Sequence, residues 1–228
     1  MRLRLDARPA TRRDRLELAV FLLLVVPAIA FGFVVIGSNQ GFVITAIATM
    51  LRDLGLGALV LFFAWSAGDG VTAIGWRAQH IGREILLGIA LYAPMLLLVT
   101  VAGELLRAAG LHAVAASGGV VPQGDGQISL AAVLVVVVAC AEETIFRGYL
   151  LLRLRAATGS TTAAVALSTA LFAAGHAYEG VIGVVLVAIL GVFLALVYLW
   201  RRSLVAPIVM HFLQDFLGLV VIPLLAAH

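Results

Sequence analysis

The sequence predicts an all-α protein, a polytopic bundle of transmembrane helices with about seven spans, six to eight being compatible with its length. Three observations carry this. The 228 residues are 63% hydrophobic and 12% charged, with a mean hydropathy of +1.14, where a soluble domain has about 45–50% apolar and about 25% charged residues. The apolar residues fall in successive runs of roughly 20, the length a helix needs to cross a bilayer. The basic residues, fifteen Arg and no Lys, gather in alternate connections, as they do where they set topology. The composition excludes a soluble globular domain, a disordered chain and a fibre. A net charge of +3 would point to nucleic acid in a soluble protein. Here it reports orientation, and no nucleic-acid partner is expected.

The elements follow in order. Residues 1–15 form an Arg-rich, cytoplasmic N-terminus that also suits anionic lipid. The first span is 16–37. Its Ala28-Ile29-Ala30 resembles a leader cleavage site, but the apolar run continues beyond it as a full span does. Residues 38–50 read as a loop or interfacial helix. The second span, about 51–67, opens at Leu51-Arg52-Asp53 and ends at Gly68-Asp69-Gly70. A polar segment with Arg77, His80 and Arg83 precedes the third span, about 84–106. The loop over about 107–127 contains Gly118-Gly119, Pro122 and Gly124-Asp125-Gly126, all turn signals. Residues 16–127 thus hold the N-terminal helices and loops, and 128–228 a second group of helices.

In that second group the spans are about 128–150, 161–177, 181–200 and 203–225. The β-branched run 133–138 would suggest a strand in water, but a lone strand in lipid leaves its backbone unpaired. With the N-terminus inside, thirteen Arg fall on the inner side and only Arg52 and Arg107 outside, which predicts N-in, C-out. A single cysteine, Cys140, excludes an intramolecular disulfide.

An ionisable residue at mid-membrane costs about 2.5–3.5 kcal/mol or more, so such residues lead to function. Spans four, five and seven hold Glu142, Glu143, Arg147, His176, His211 and Asp215. Glu142 and Glu143 point about 100° apart on one helix. Arg147 follows Glu143 by four residues on the same face. The economical reading is that Glu143 pairs with Arg147, while Glu142 faces the interior as a general base. His176 alone also reads as a capping or interfacial residue. His211 and Asp215, at i and i+4, read equally as a pair that glues helices. Together they call for one polar interior. At 1.5 Å per residue Glu142 and His211 lie about 10–12 Å from the inner face, and His176 about 20 Å, so span five starts later than drawn or tilts.

Glutamate with two histidines suggests water activation by one of two routes. A zinc ion could be held by His176, His211 and a carboxylate, Glu142 or Asp215, with an open position for water. Without metal, Glu142 oriented with His176 would deprotonate a water, and His211 with residue 215 would stabilise an oxyanion. No His-Glu-x-x-His signature occurs.

Three motifs carry a family resemblance. Glu142-Glu143-Thr144-Ile145-Phe146-Arg147 resembles an EExxxR motif, Phe172-Ala173-Ala174-Gly175-His176 an FxxxH motif, and His211-Phe212-Leu213-Gln214-Asp215 an HxxxN motif. In this order, on separate spans, they resemble the CAAX-processing and bacteriocin-processing (CPBP, or Abi) intramembrane proteases, relatives of type II CAAX prenyl endopeptidases, over about residues 128–220. The resemblance implies catalytic helices over 128–228 and an intramembrane endopeptidase in a bacterial inner membrane. Its substrate would be a membrane-associated protein or peptide, of CAAX or bacteriocin-like type. Glu142 would activate water with His176, and His211 with Asp215 would face the oxyanion. Glu143, Arg147 and Phe172 would support them, with no cofactor required or with zinc. One departure is Asp215, where the family pattern has Asn; an ionised Asp cannot donate to an oxyanion. A protonated Asp215 could donate, or Asp215 could accept from His211 and fix its tautomer, or serve as a ligand. Two rivals remain: a silent membrane scaffold or immunity protein of the same fold, and a small proton-coupled transporter. The ionisable residues cluster in the second half only, which argues against paired transporter halves.

Overall fold

The computed structural model describes residues 9–37, 41–111 and 121–226. The N-terminal stretch with Arg2, Arg4 and Arg8, residues 38–40 of the first predicted loop, Gly118-Gly119, His112 and His228 lie outside the described residues. Those described fold as helices with no strand among them. In chain order these are α1 (Arg12–Gly37), α2 (Phe42–Ser66), the short α3 (Gly70–Ala73) and α4 (Ile81–Ala108). Next, α5 (Gly124–Glu142) runs through a π-helical stretch, Glu143–Leu150, into α6 (Leu151–Thr158). Then come α7 (Thr161–Ala174), a 3-10 turn (Ala177–Glu179), α8 (Gly180–Arg201) and α9 (Val205–Phe216). A second π-helical stretch, Leu217–Val221, leads to α10 (Ile222–Ala226).

Five helical segments among the described residues are long and apolar enough to cross a membrane: Phe42–Ser66, Ile81–Ala108, Gly124–Thr158, Ala177–Arg201 and Val205–Ala226. The protein is therefore an integral membrane protein. Leu23, Trp65 and Leu86 stand outward, as apolar side chains can where the surrounding medium is lipid.

Three predicted elements need correction. The segment 42–50, expected as a loop or interfacial helix, is helical and continuous with the second span, because nothing after Gly41 breaks it; Gly41 itself, at φ 81°, takes the left-handed backbone that suits glycine. The fourth span is a single helical run of 35 residues, Gly124–Thr158, closed by Gly159 at φ 72°. Arg153 and Arg155 thus sit on a helix and not in a connection. The fifth span is only the 14 residues of α7, about 21 Å, short of a hydrocarbon core of about 30 Å. Ser160 starts α7 by accepting from the Ala163 N–H at 3.2 Å, and the chain turns away at Gly175 and His176.

The main core gathers Tyr149, Leu150 and Leu151 from the long helix, Phe172 from α7, Leu194 and Tyr198 from α8, and Met210 from α9. Phe21 and Val25 of α1 join it. Buried Arg153 meets Asp14 at 3.1 Å, Glu17 at 3.3 Å and Asp69 at 2.7 Å, tying α1 and the turn between α2 and α3 to α6. Arg201 reaches Glu84 at 2.6 Å, joining α8 to α4. The turn after α3 packs hard on the π-helical stretch: a Cβ on Gly148 would lie 2.7 Å from the Ile74 carbonyl oxygen.

Candidate active site

The EExxxR residues straddle the join between α5 and its π-helical continuation, with Glu142 last in α5 and Glu143 first in the π stretch. Such widened turns recur at functional sites. Every residue from Glu143 to Leu150 is buried. Oε1 of Glu143 accepts from Arg147 Nη1 at 2.7 Å and lies 2.8 Å from His211 Nδ1. Arg147 also donates to the Gly191 carbonyl at 3.5 Å, and its guanidinium lies 4.1 Å over the Phe172 ring. One carboxylate oxygen thus joins a cation on its own helix to a histidine on α9. Neither of the two groups it holds has another acidic partner as near.

Phe172 is the partition of the site. Its ring meets Phe146 at 5.2 Å, His176 at 5.0 Å and His211 at 5.9 Å, the last edge to face at 90°. Its backbone carbonyl faces His176 Nδ1 at 3.0 Å. A carbonyl only accepts, so Nδ1 carries the proton in this contact and Nε2 is left to accept one. His211, with Nδ1 toward Glu143, turns Nε2 to Asp215 Oδ2 at 3.4 Å and Glu142 Oε2 at 3.9 Å.

The four residues expected to be catalytic, Glu142, His176, His211 and Asp215, line one cavity of about 650 Å³. Glu143 and Arg147 lie beneath it, fully enclosed. Glu142 is 6% exposed, and its Oε2 has no hydrogen-bond partner. His176 reaches the cavity from the turn after α7, which accounts for the mismatched depth of a seven-span count. It also satisfies the last turn of α7 through Phe172, so the capping alternative and the site reading coexist.

Sequence reasoning missed one wall. The sequence puts Arg52 and Asp53 at the start of the second span, with Arg52 on the outer side; in the structure they are the eleventh and twelfth residues of α2 and line the cavity. Arg52 Nη2 lies 3.8 Å from Glu142 Oε1. Glu179 lines the cavity too, beside Tyr178. The available signal was an Arg-Asp pair ten residues inside an apolar stretch once that stretch is begun at residue 42. Glu104, by contrast, is exposed and accepts from Arg107 at 2.8 Å.

The side chains of the possible zinc set Glu142, His176, His211 and Asp215 are of ligating type, but their placement does not form a metal site. Among the described residues no three His, Cys, Asp or Glu side chains are grouped to hold a metal ion. The Arg52 guanidinium beside Glu142 further places a cation where a dication would compete for the same carboxylate.

Fold and site together define an all-helical integral membrane protein in which acidic and histidine side chains from α5, the α7 turn and α9 line one cavity. The sequence model of the type II CAAX prenyl endopeptidase Rce1-like family matches residues 124–217, from the first residue of α5 to just beyond α9. That stretch carries the pattern of a membrane protease family, in agreement with the CPBP resemblance of its three motifs. No curated protein and no solved structure matches the chain.

Proposed function

We propose that the protein is an intramembrane endopeptidase in which Glu142 activates the attacking water, with His176 as its partner. The observation that carries this is Oε2 of Glu142, a buried carboxylate oxygen with no hydrogen-bond partner, on a cavity shared with His176 and His211. In the reaction Glu142 takes a proton from water as its oxygen attacks a substrate carbonyl, and later returns that proton to the departing amine. His176 Nε2, free of the Phe172 contact, orients the water. His211 Nε2 faces the oxyanion side, with Asp215 at 3.4 Å holding that edge of the ring. Glu143 and Arg147 fix His211 from below. General-base assistance of this kind is worth about 10²–10⁴-fold.

The substrate is a membrane-associated protein or peptide of CAAX or bacteriocin-like type, which the apolar walls of the cavity suit. The protein is seated in a bacterial inner membrane, N-terminus inside and C-terminus outside, its long apolar helices crossing the bilayer. The test compares protein termini in membranes from matched cells expressing wild type or Glu142→Gln. New termini confined to wild type support proteolysis through Glu142 and name the substrate. Identical termini at equal expression would favour a silent scaffold of the same fold.

A further inference from the structure

We infer that Arg52, clamped by Asp53, is the positioning residue for Glu142, an element of the catalytic machinery supplied by α2 from outside the matched stretch 124–217. The inference rests on the glutamate reading above and adds to it. Helix α2 lies directly against α5 at this level: a Cβ on Gly57 would stand 3.8 Å from the Ala141 Cβ, one residue before Glu142. Side chains one turn earlier on α2 therefore face the Glu142 carboxylate.

The three charged groups are arranged asymmetrically. Arg52 Nε donates to Asp53 Oδ1 at 2.7 Å, and Arg52 Nη2 lies 3.8 Å from Oε1 of Glu142. Oε2 is turned the other way, 3.9 Å from His211 Nε2 and without a hydrogen-bond partner. One oxygen of Glu142 is thus oriented by a cation, and the other is left to take a proton from water. Asp53 is 2% exposed and its Oδ2 has no hydrogen-bond partner. So costly a buried carboxylate gains a reason if it holds Arg52 in place. The planar guanidinium suits this task because different nitrogens serve two carboxylates at once. A lysine ammonium keeps the charge but carries its donors on one nitrogen, without the rigid planar fork that spans two carboxylates.

The experiment uses the full chain in proteoliposomes and the substrate named by the comparison of termini. It measures kcat and KM for wild type, Arg52→Gln, Arg52→Lys, Asp53→Asn and Glu142→Gln. A misplaced general base costs up to about a hundredfold. Arg52→Gln is expected to lower kcat by about tenfold to a hundredfold with KM within about twofold. Arg52→Lys should recover part of that loss. Asp53→Asn should also lower kcat at constant KM, and it reads the same clamp if Arg52→Gln fails to fold. Wild-type kcat in Arg52→Gln or Asp53→Asn, with Glu142→Gln inactive, would overturn the positioning role alone. A raised KM at unchanged kcat in Arg52→Gln would make Arg52 a substrate-binding group and overturn it too. Full activity of Glu142→Gln would remove the glutamate reading and this inference with it.

Discussion

Replacing Glu143 with Gln removes one charge at nearly constant volume from a place with no water. Glu143 is fully buried and Arg147 is 2% exposed, so the guanidinium has no solvent to fall back on. Its other contacts are the Gly191 carbonyl at 3.5 Å and the Phe172 face at 4.1 Å. Both are already present in the wild type and cancel in the difference. Removing one partner of a buried ion pair costs about 3–5 kcal/mol. The Gln carbonyl can still accept one neutral hydrogen bond, from Arg147 or His211, returning about 1 kcal/mol. The expected loss is therefore about 2–4 kcal/mol, or roughly 4–16 °C in unfolding temperature at about 2–4 °C per kcal/mol. The same change at Glu142 removes a carboxylate whose Oε2 is unbonded and whose nearest cation, Arg52, keeps Asp53. Glu142→Gln should leave the unfolding temperature within about 2 °C of wild type, or raise it. Thermal unfolding in detergent, followed by tryptophan fluorescence, reads both variants. Equal melting of wild type and Glu143→Gln would refute the account, as would equal destabilisation of the two variants.

Three further outcomes are expected. Asp215→Asn should keep cleavage within about tenfold of wild type, because an amide can donate where the family pattern has Asn; complete loss would mean a role only a carboxylate can fill. Gly148→Ala would put a Cβ 2.7 Å from the Ile74 carbonyl oxygen, and backbone cannot yield as a side-chain tip can. It should cost about 1–3 kcal/mol in the same unfolding assay, and wild-type melting would show that the turn after α3 moves freely. Treatment with phenanthroline or EDTA should leave cleavage unchanged, since no three ligating side chains are grouped among the described residues; loss of cleavage restored by Zn²⁺ would contradict this.

What was legible in the sequence was what lipid punishes. Apolar runs must be helical because bare backbone is intolerable in a bilayer, so α4, α8 and the Val205–Ala226 segment match expectation to within about three residues. Glu142, Glu143, Arg147, His211 and Asp215 stood out because charge in such runs is rare. The spacing of Glu143 and Arg147 foretold their 2.7 Å contact. The bond from Glu143 to His211 spans 68 residues and has no local signal. Arg52 and Asp53 were lost through a single boundary: a helix begun at 51 leaves them at an interface, and one begun at 42 puts them inside. The length of α7 was misjudged for a related reason. Ala, Ser and Thr give it an apolar average, yet Ser168 and Thr169 are buried against protein, and Ser168 donates to the Phe146 carbonyl at 2.8 Å.

The true start of α2 bears on what the first half of the chain is for. The three family motifs lie within residues 124–217, but the cavity they share is not closed by that stretch. Arg52, Asp53 and Leu56 of α2, Val25 and Ile29 of α1 and Val99 of α4 supply walls. Asp14 and Glu17 of α1 meet buried Arg153 on α6. An isolated second half would expose Glu142 to water and leave Arg153 without those carboxylates. Water at Glu142 would weaken the electrostatics on which the proposed chemistry depends. On the proposed mechanism the N-terminal helices therefore belong to the candidate active site in the physical sense: they shield Glu142 from water as well as bringing Arg52 to its carboxylate.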